Sequence, residues 1–274
     1  MENLRGLLAA AGFSFKKSLG QNFIADENLL SSIVRLAGVE KDDTVVEIGC
    51  GAGTLTRALS RECKRVVAYE VDRQLQPVLS NTLSGCENVE VIFSDFLRVD
   101  LPALEKSVGD YKIVANLPYY VTTPLIMRVF ESAQRCRSLT VMVQQEVAAR
   151  LAATPNTPDY GAITAVLALK YSAEIVKRVP RTAFTPQPNV DSAVVKLTLR
   201  APLAVKSEKL YIKTVHAAFA SRRKTIENNL LKGFSLTREQ AQKAIADAGI
   251  PAGVRGETLS PEEFARLSDI LYNI

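Results

Sequence analysis

With 274 residues, 47% of them apolar and 23% charged, the chain has the make-up of a soluble globular protein with length for one large domain or two ordinary ones. No apolar run nears the roughly 20 residues that span a bilayer, and residues 1–12 lack the basic start and apolar core of a secretion signal, so a cytoplasmic protein without a membrane anchor is expected. Net charge is only +5, yet residues 201–232 carry seven Lys or Arg against two Glu, which points to a polyanion-facing surface or else to a solvated helix face. Cys50, Cys63, Cys86 and Cys136 are widely spaced, form no CxxC pair and have a single histidine, His216, for company, so reduced thiols in packing roles and no metal site are expected.

In chain order, residues 1–42 read as an extension ahead of the first strand. Phe13, Phe15, Lys16 and Lys17 mix basic and aromatic character before Gly20-Gln21-Asn22-Phe23. Asp26 can then cap a helix whose apolar positions Leu29, Leu30, Ile33, Val34 and Leu36 recur at helical spacing, with Gly38 to end it. From Asp43 the pattern predicts strands at 44–48, 65–70, 89–93, 111–115 and 138–144, with helices at 52–61, 72–83 and 124–134 between them. Strands alternating with helices imply a parallel sheet with right-handed crossovers, an α/β domain. After the loop at 154–158, β-branched content in 162–179 and 191–199 adds at least one further strand, the last expected to close the sheet. Everything from Ser207 is helical in pattern, with helix starts at Thr237 and Ser260. The boundary is placed near 200, giving an α/β domain at 1–200 and a helical one at 201–274.

Three strand ends carry polar chemistry. The turn Glu47-Ile48-Gly49-Cys50-Gly51-Ala52-Gly53 has glycines at alternate positions, which lets a ligand approach the main chain, but it reads GxGxG rather than the dinucleotide GxGxxG. Glu70 ends the next strand, where a carboxylate can accept both hydroxyls of a ribose, and Asp95 ends the third, placed to read an adenine amine while Phe96 or a neighbour covers the ring. The structural alternatives are an exposed strand end for Glu70, a helix cap for Asp95 and a plain turn for the glycines. A fourth tip, Asn116-Leu117-Pro118-Tyr119-Tyr120, sets hydrogen-bond acceptors beside flat surfaces and suits a purine with an exocyclic amine.

These motifs resemble the S-adenosylmethionine-dependent methyltransferases of the Rossmann-like class I fold, and more narrowly the adenine N6-dimethyltransferases of small-subunit ribosomal RNA. The likeness runs from Lys17-Ser18-Leu19-Gly20-Gln21-Asn22-Phe23 to the C-terminal helices and includes the stretches at 184–192 (FTPQPNVDS) and 219–225 (FASRRKT). It implies a mostly parallel seven-stranded sheet plus a small all-helical domain, with S-adenosylmethionine as cofactor. Gln21, Asn22 and Ile24 would close over its methionine end, Ile24 by a backbone contact, while Gly49 and Gly51 would pass beside it, Glu70 hold the ribose, Asp95 bind the adenine amine and Asn116 lie near the methyl.

On the acceptor side, the Asn116 side-chain oxygen and the Leu117 carbonyl would take the two amine hydrogens, with Pro118 stiffening the turn. Tyr119 and Phe184 would clamp the extruded base, supported by Tyr120. Arg222, Arg223 and Lys224, joined by Lys16 and Lys17, would contact RNA phosphates, and His216 would be structural or phosphate-facing. The implied substrate is two adjacent adenosines in the 3′-terminal hairpin of 16S rRNA, met by a monomer in the immature small subunit. A large-subunit adenine methyltransferase of the macrolide-resistance type, or a non-catalytic ribosome-assembly or transcription factor on the same fold, are the alternatives.

Overall fold

The computed structural model describes residues 4–16 and 19–274. A short helix α1 (Leu4–Ala10) precedes a two-residue strand β1 (Phe23–Ile24) and helix α2 (Glu27–Ala37). The ends of α2 follow their chemistry. The Asp26 carboxylate accepts from the amides of Asn28 and Leu29, and Gly38 closes the helix at φ 68°, a left-handed conformation that glycine adopts freely.

The sheet is built from β2 (Thr44–Ile48), β3 (Arg65–Glu70), β4 (Val89–Phe93), β5 (Tyr111–Asn116), β6 (Cys136–Gln144), β7 (Tyr171–Val179) and β9 (Ser192–Leu199), in the order β4-β3-β2-β5-β6-β9-β7. A separate ribbon pairs β1 with β8 (Phe184–Thr185), Ile24 opposite Phe184. Strands β2 to β6 run parallel, and β9 returns antiparallel to β6. The helices α3 (Thr54–Ser60), α4 (Gln76–Thr82), α5 (Leu101–Val108) and α6 (Thr122–Ser132) supply the crossovers. Val45, Val46, Val66, Ile113 and Val114 are buried completely, as parallel strands covered on both faces must be. Strand β9 does not close the sheet as expected: it inserts between β6 and β7, and β7 forms the outer edge.

The switch at the centre of this order positions the site. From β2 the chain moves outward through β3 to β4, then returns to the other side of β2 as β5. A crevice therefore opens at the carboxyl ends of β2 and β5, where open α/β sheets bind ligands.

The chain divides into two compact units, 1–148 with 174–199, and 149–173 with 200–274. Residues 149–173 lie in the second unit rather than in the first, where their place before 200 puts them in the sequence reading. Their tyrosine partners give the reason. The buried Tyr160 donates its hydroxyl to the Leu259 carbonyl at 2.9 Å, and the buried Tyr211 donates to the Ala165 carbonyl at 2.7 Å, so α8 (Ala162–Leu167) and the loop before it are tied to the C-terminal helices. Those helices are α9 (Glu208–Phe219), α10 (Ile226–Phe234), α11 (Arg238–Asp247) and α12 (Pro261–Leu271), after α7 (Gln145–Leu151) which spans the division. Thr237 and Ser260 each open a helix with a full capping box. No helix among the described residues is long and apolar enough to cross a membrane.

Candidate active site

The glycine turn after β2 is folded by its backbone. Gly49, Gly51 and Gly53 stand at φ 72°, 55° and 80°, and a Cβ on Gly51 would lie 2.8 Å from the Phe23 ring. Only glycine lets the N-terminal segment lie this close over the turn. The amides of Gly49 and Cys50 both donate to the Tyr69 carbonyl, at 2.8 and 3.0 Å, which draws the tips of β2 and β3 together.

Glu70 then anchors that junction. Its Oε1 accepts from the Val71 and Asp72 amides and its Oε2 from the Gly51 amide, each at 2.8 Å. Burial pushes its pKa up, and these three donors pull it back. A carboxylate offers about four acceptor positions. Three are already used, so Oε2 keeps one for a ligand hydroxyl instead of the carboxylate engaging both hydroxyls unencumbered.

Asp95 fills the cap role and still lines the pocket. Its Oδ1 accepts from the Leu97 amide at 3.0 Å, leaving Oδ2 toward solvent with only a distant approach from Arg98 at 3.8 Å. Phe96 is buried edge-on against Tyr69, with ring centroids 5.2 Å apart, so the residue offering an open apolar face beside Asp95 is Val71, 49% exposed.

Gln21 and Asn22 close the crevice from the N-terminal side. Gln21 donates to Asp72 Oδ2 at 2.9 Å and accepts from the Lys16 amide, while Lys16 Nζ pairs with Asp72 Oδ1 at 2.7 Å. Burial opposes ionisation of Asp72, but Lys16 and Gln21 win and its pKa is lowered. Lys16 is thus committed to an ion pair rather than presented free to phosphate, and Lys17 lies outside the described residues.

The acceptor side is held by longer reaches. Asn116 donates Nδ2 to the Asn22 carbonyl at 2.8 Å, which turns its amide so that Oδ1 remains an acceptor on the pocket wall. The Leu117 amide donates to the Met142 carbonyl, and the Pro118 carbonyl accepts from the Val121 amide, both at 3.2 Å, fixing the turn. Tyr119 lines the pocket with its hydroxyl 2.9 Å from Ser192 Oγ, and Tyr120 beside it is 59% exposed.

Of the expected wall residues, Phe184 stands elsewhere, and Ile24, expected to contribute through its backbone, turns its side chain into the core. Ile24 and Phe184 face each other across the β1–β8 ribbon, are 3% and 4% exposed, and belong to the apolar core rather than to the pocket lining. Their shared role is to dock the N-terminal segment. The FTPQPNVDS stretch reaches the site through Ser192, a residue the motif contained but whose partner, 73 positions away, no local pattern reveals.

In the second unit, Arg222 is exposed but bonded: its guanidinium donates to the Pro158 carbonyl at 2.9 Å and to Glu257 at 3.3 Å. Arg223, Lys224 and His216 are exposed, so His216 holds no core.

One buried acid was not anticipated. Glu47 on β2 is 1% exposed and its Oε2 has no hydrogen-bond partner. Burial pushes its pKa up to about 8, the Thr56 hydroxyl offsets part of this, and the charge of Glu70 adds to it.

Together these tips enclose a pocket with an empty volume of about 840 Å³, its open mouth included. Glu70 and Asp95 line it and no Lys or Arg does, among the described residues. That charge pattern rejects a pyrophosphate and accepts a cationic nucleoside with free hydroxyls. Gly49, Gly51, Asp95, Val71, Gln21 and Asn22 all line this pocket and together fit S-adenosylmethionine, and Asn116 and Tyr119 line it as well.

Comparison with known proteins agrees. The sequence model of the family described as ribosomal RNA adenine dimethylase matches residues 12–273. A ribosomal RNA small subunit methyltransferase A from Geobacillus thermodenitrificans (strain NG80-2) is 49% identical over 97% of this chain and 94% of its own. One from Clostridium acetobutylicum is 44% identical over 98% of each chain. Among solved structures, the 23S rRNA methyltransferase ErmE superposes with a TM-score of 0.73 at 30% identity, over 92% of this chain and all of that one. A dimethyladenosine transferase from Plasmodium falciparum gives 0.75 at 23% identity, over 89% and 95%, and shares the fold. The chain belongs to the ribosomal RNA adenine dimethylase family, the S-adenosylmethionine-dependent methyltransferases that act on adenine.

Proposed function

We propose that the protein dimethylates N6 of two adjacent adenosines in the 3′-terminal hairpin of 16S rRNA, acting as a cytosolic monomer on the immature small subunit. The observation that carries the chemistry is the Asn116 amide, oriented by its bond to the Asn22 carbonyl so that an acceptor oxygen lines the pocket. The small-subunit choice is supported by the names of relatives at 43–49% identity, whereas the large-subunit enzyme ErmE is 30% identical.

The adenine amine is a poor nucleophile because its lone pair is delocalised into the ring. Asn116 Oδ1 and the Leu117 carbonyl accept its two hydrogens, which favours a tetrahedral nitrogen with its lone pair aimed into the cofactor half of the pocket. Gln21, Asn22, Gly49, Gly51, Glu70 and Asp95 would hold the cofactor, with Glu70 Oε2 taking one ribose hydroxyl. When bound, the cofactor supplies an electrophilic methyl group on a positively charged sulfur. Pro118 and the turn that follows it keep the two acceptors in place, so most of the rate comes from positioning. No general base is required, since the alkylated amine is acidic and loses its proton to water. Burial holds the Tyr119 hydroxyl above its ordinary pKa, Ser192 opposes and Asp191 adds to that shift, which leaves Tyr119 protonated as a stacking surface.

Extruding the base costs a few kcal/mol, offset in part by stacking on Tyr119. Arg223 and Lys224 contact phosphate, while Arg222 braces its own unit. An inert RNA-binding factor would need neither the Asn116 amide nor the acidic cofactor pocket. Incubation with labelled cofactor and undermethylated small and large subunits tests the assignment: label enters small-subunit RNA, and label confined to large-subunit RNA would overturn it.

A further inference from the structure

Ser192 belongs to none of the roles above, yet it is among the most constrained residues near the pocket. It is completely buried, pairs with Gln144 in the β6–β9 register, and sits 2.9 Å by its Oγ from the Tyr119 hydroxyl. The residue before it is held as tightly. The Asp191 carbonyl accepts from the Gln145 amide at 3.0 Å, and its side chain accepts from the Arg181 amide at 2.9 Å. The hydroxyl that meets Tyr119 is therefore mounted on a rigid strand start, fixed from three directions.

We propose that Ser192 is a positioning residue for base capture, setting the long axis of the Tyr119 ring before the adenine arrives. This rests on the reading of Tyr119 as the stacking surface. A tyrosine side chain in an open pocket has two torsions to settle. Backbone attachment fixes one end of the ring, in the turn after β5, and the bond to Ser192 fixes the other. Rotation about the axis between them is the only freedom left, and a stacked base removes it. Ordering cost is thus met on folding rather than on binding, which is the general gain from preorganisation. The same bond joins the Asn-Leu-Pro-Tyr turn to the FTPQPNVDS stretch, so two separate motifs act on one wall.

The test compares Tyr119→Phe, Ser192→Ala and the double variant, all of which keep an aromatic ring at 119. Three quantities are measured: kcat/KM on undermethylated small subunits, calorimetric affinity for S-adenosylmethionine, and fluorescence quenching of RNA with 2-aminopurine at the target position. Each single variant should lower kcat/KM about fivefold, the size of one neutral hydrogen bond, and weaken quenching alike. The double variant should be no worse than either single, because both remove one bond, with cofactor affinity within about twofold of wild type. Additive losses, or single variants with wild-type kcat/KM and quenching, overturn the proposal. Tyr119→Ala separates this from the parent reading. Full activity and quenching there refute stacking on Tyr119, whereas a defect there with normal Tyr119→Phe and Ser192→Ala refutes only the part played by Ser192.

Discussion

The cofactor half of the pocket and its acceptor half are assembled by different means. At the cofactor end, short and long ties combine: Glu70 binds amides one and two residues ahead and Asp95 caps the turn two residues on, while longer bonds join Glu70 to Gly51 across 19 residues and Gln21 to Asp72 across 51. At the acceptor end the controlling bonds span 94 residues, from Asn116 to Asn22, and 73 residues, from Tyr119 to Ser192. Local turns can form early, but bonds between distant segments exist only when the unit is closed, and the acceptor half depends on the longest of these and has fewer short ties beside them. The cofactor half should therefore tolerate damage to the acceptor half better than the reverse.

The largest expected effect breaks the comparison at its centre. Asn116→Ala should lower methyl transfer by about a thousandfold, as for loss of one preorganised polar group, and leave cofactor affinity within about tenfold. Single-turnover kinetics with parallel calorimetry reads both; equal losses in the two would merge the halves into one. Glu70→Ala comes next and acts on the other half. It removes three backbone acceptor bonds and a ligand acceptor together, so cofactor affinity should fall about thirtyfold or more, the scale of a charged hydrogen bond. Unchanged affinity would show that the ribose lies elsewhere.

A smaller effect concerns RNA. Arg223→Glu with Lys224→Glu should weaken RNA binding about tenfold and flatten its salt dependence, with cofactor affinity intact. Arg222→Ala should instead lower the melting temperature, because its partners are the Pro158 carbonyl and Glu257. An unaltered salt slope in the double reversal would return this loop to a plain solvated surface.

The smallest effect is on stability and lies under the cofactor half. The Glu47 carboxyl has its pKa raised from 4.5 to about 8, so the folded state holds a proton that the unfolded chain releases sooner. The stabilising contribution is complete below about pH 4.5 and is lost as pH rises through about 8. Glu47→Gln should melt a few degrees above wild type at pH 8.5, with a smaller gap at pH 5.5. Parallel melting curves across that range would contradict the burial argument.

The same local-against-distant division decides what the residues disclose by themselves. The strands from 44 to 144, the caps at Asp26, Thr237 and Ser260, and the carboxylate tips are legible because their periods and spacings are local. Phe184 misleads because a residue inside a functional motif can serve it by docking the motif rather than by lining the pocket. Arg222 shows a related limit: a basic run marks a charged surface, and its first member stands on that surface while also bonding the Pro158 carbonyl and the Glu257 carboxylate, partners that no local pattern reveals. The order β6-β9-β7 and the transfer of 149–173 to the second unit depend on pairings that no window of sequence contains.

All of this converges on one atom, the adenine N6 that Asn116 and Leu117 would receive. Nucleoside mass spectrometry of RNA from undermethylated small subunits, taken after incubation with the protein and excess S-adenosylmethionine, reads that atom directly. The account predicts N6,N6-dimethyladenosine as the accumulating product, with N6-methyladenosine as its precursor. Methylation on a ring nitrogen or a ribose hydroxyl, in place of the exocyclic amine, would contradict it.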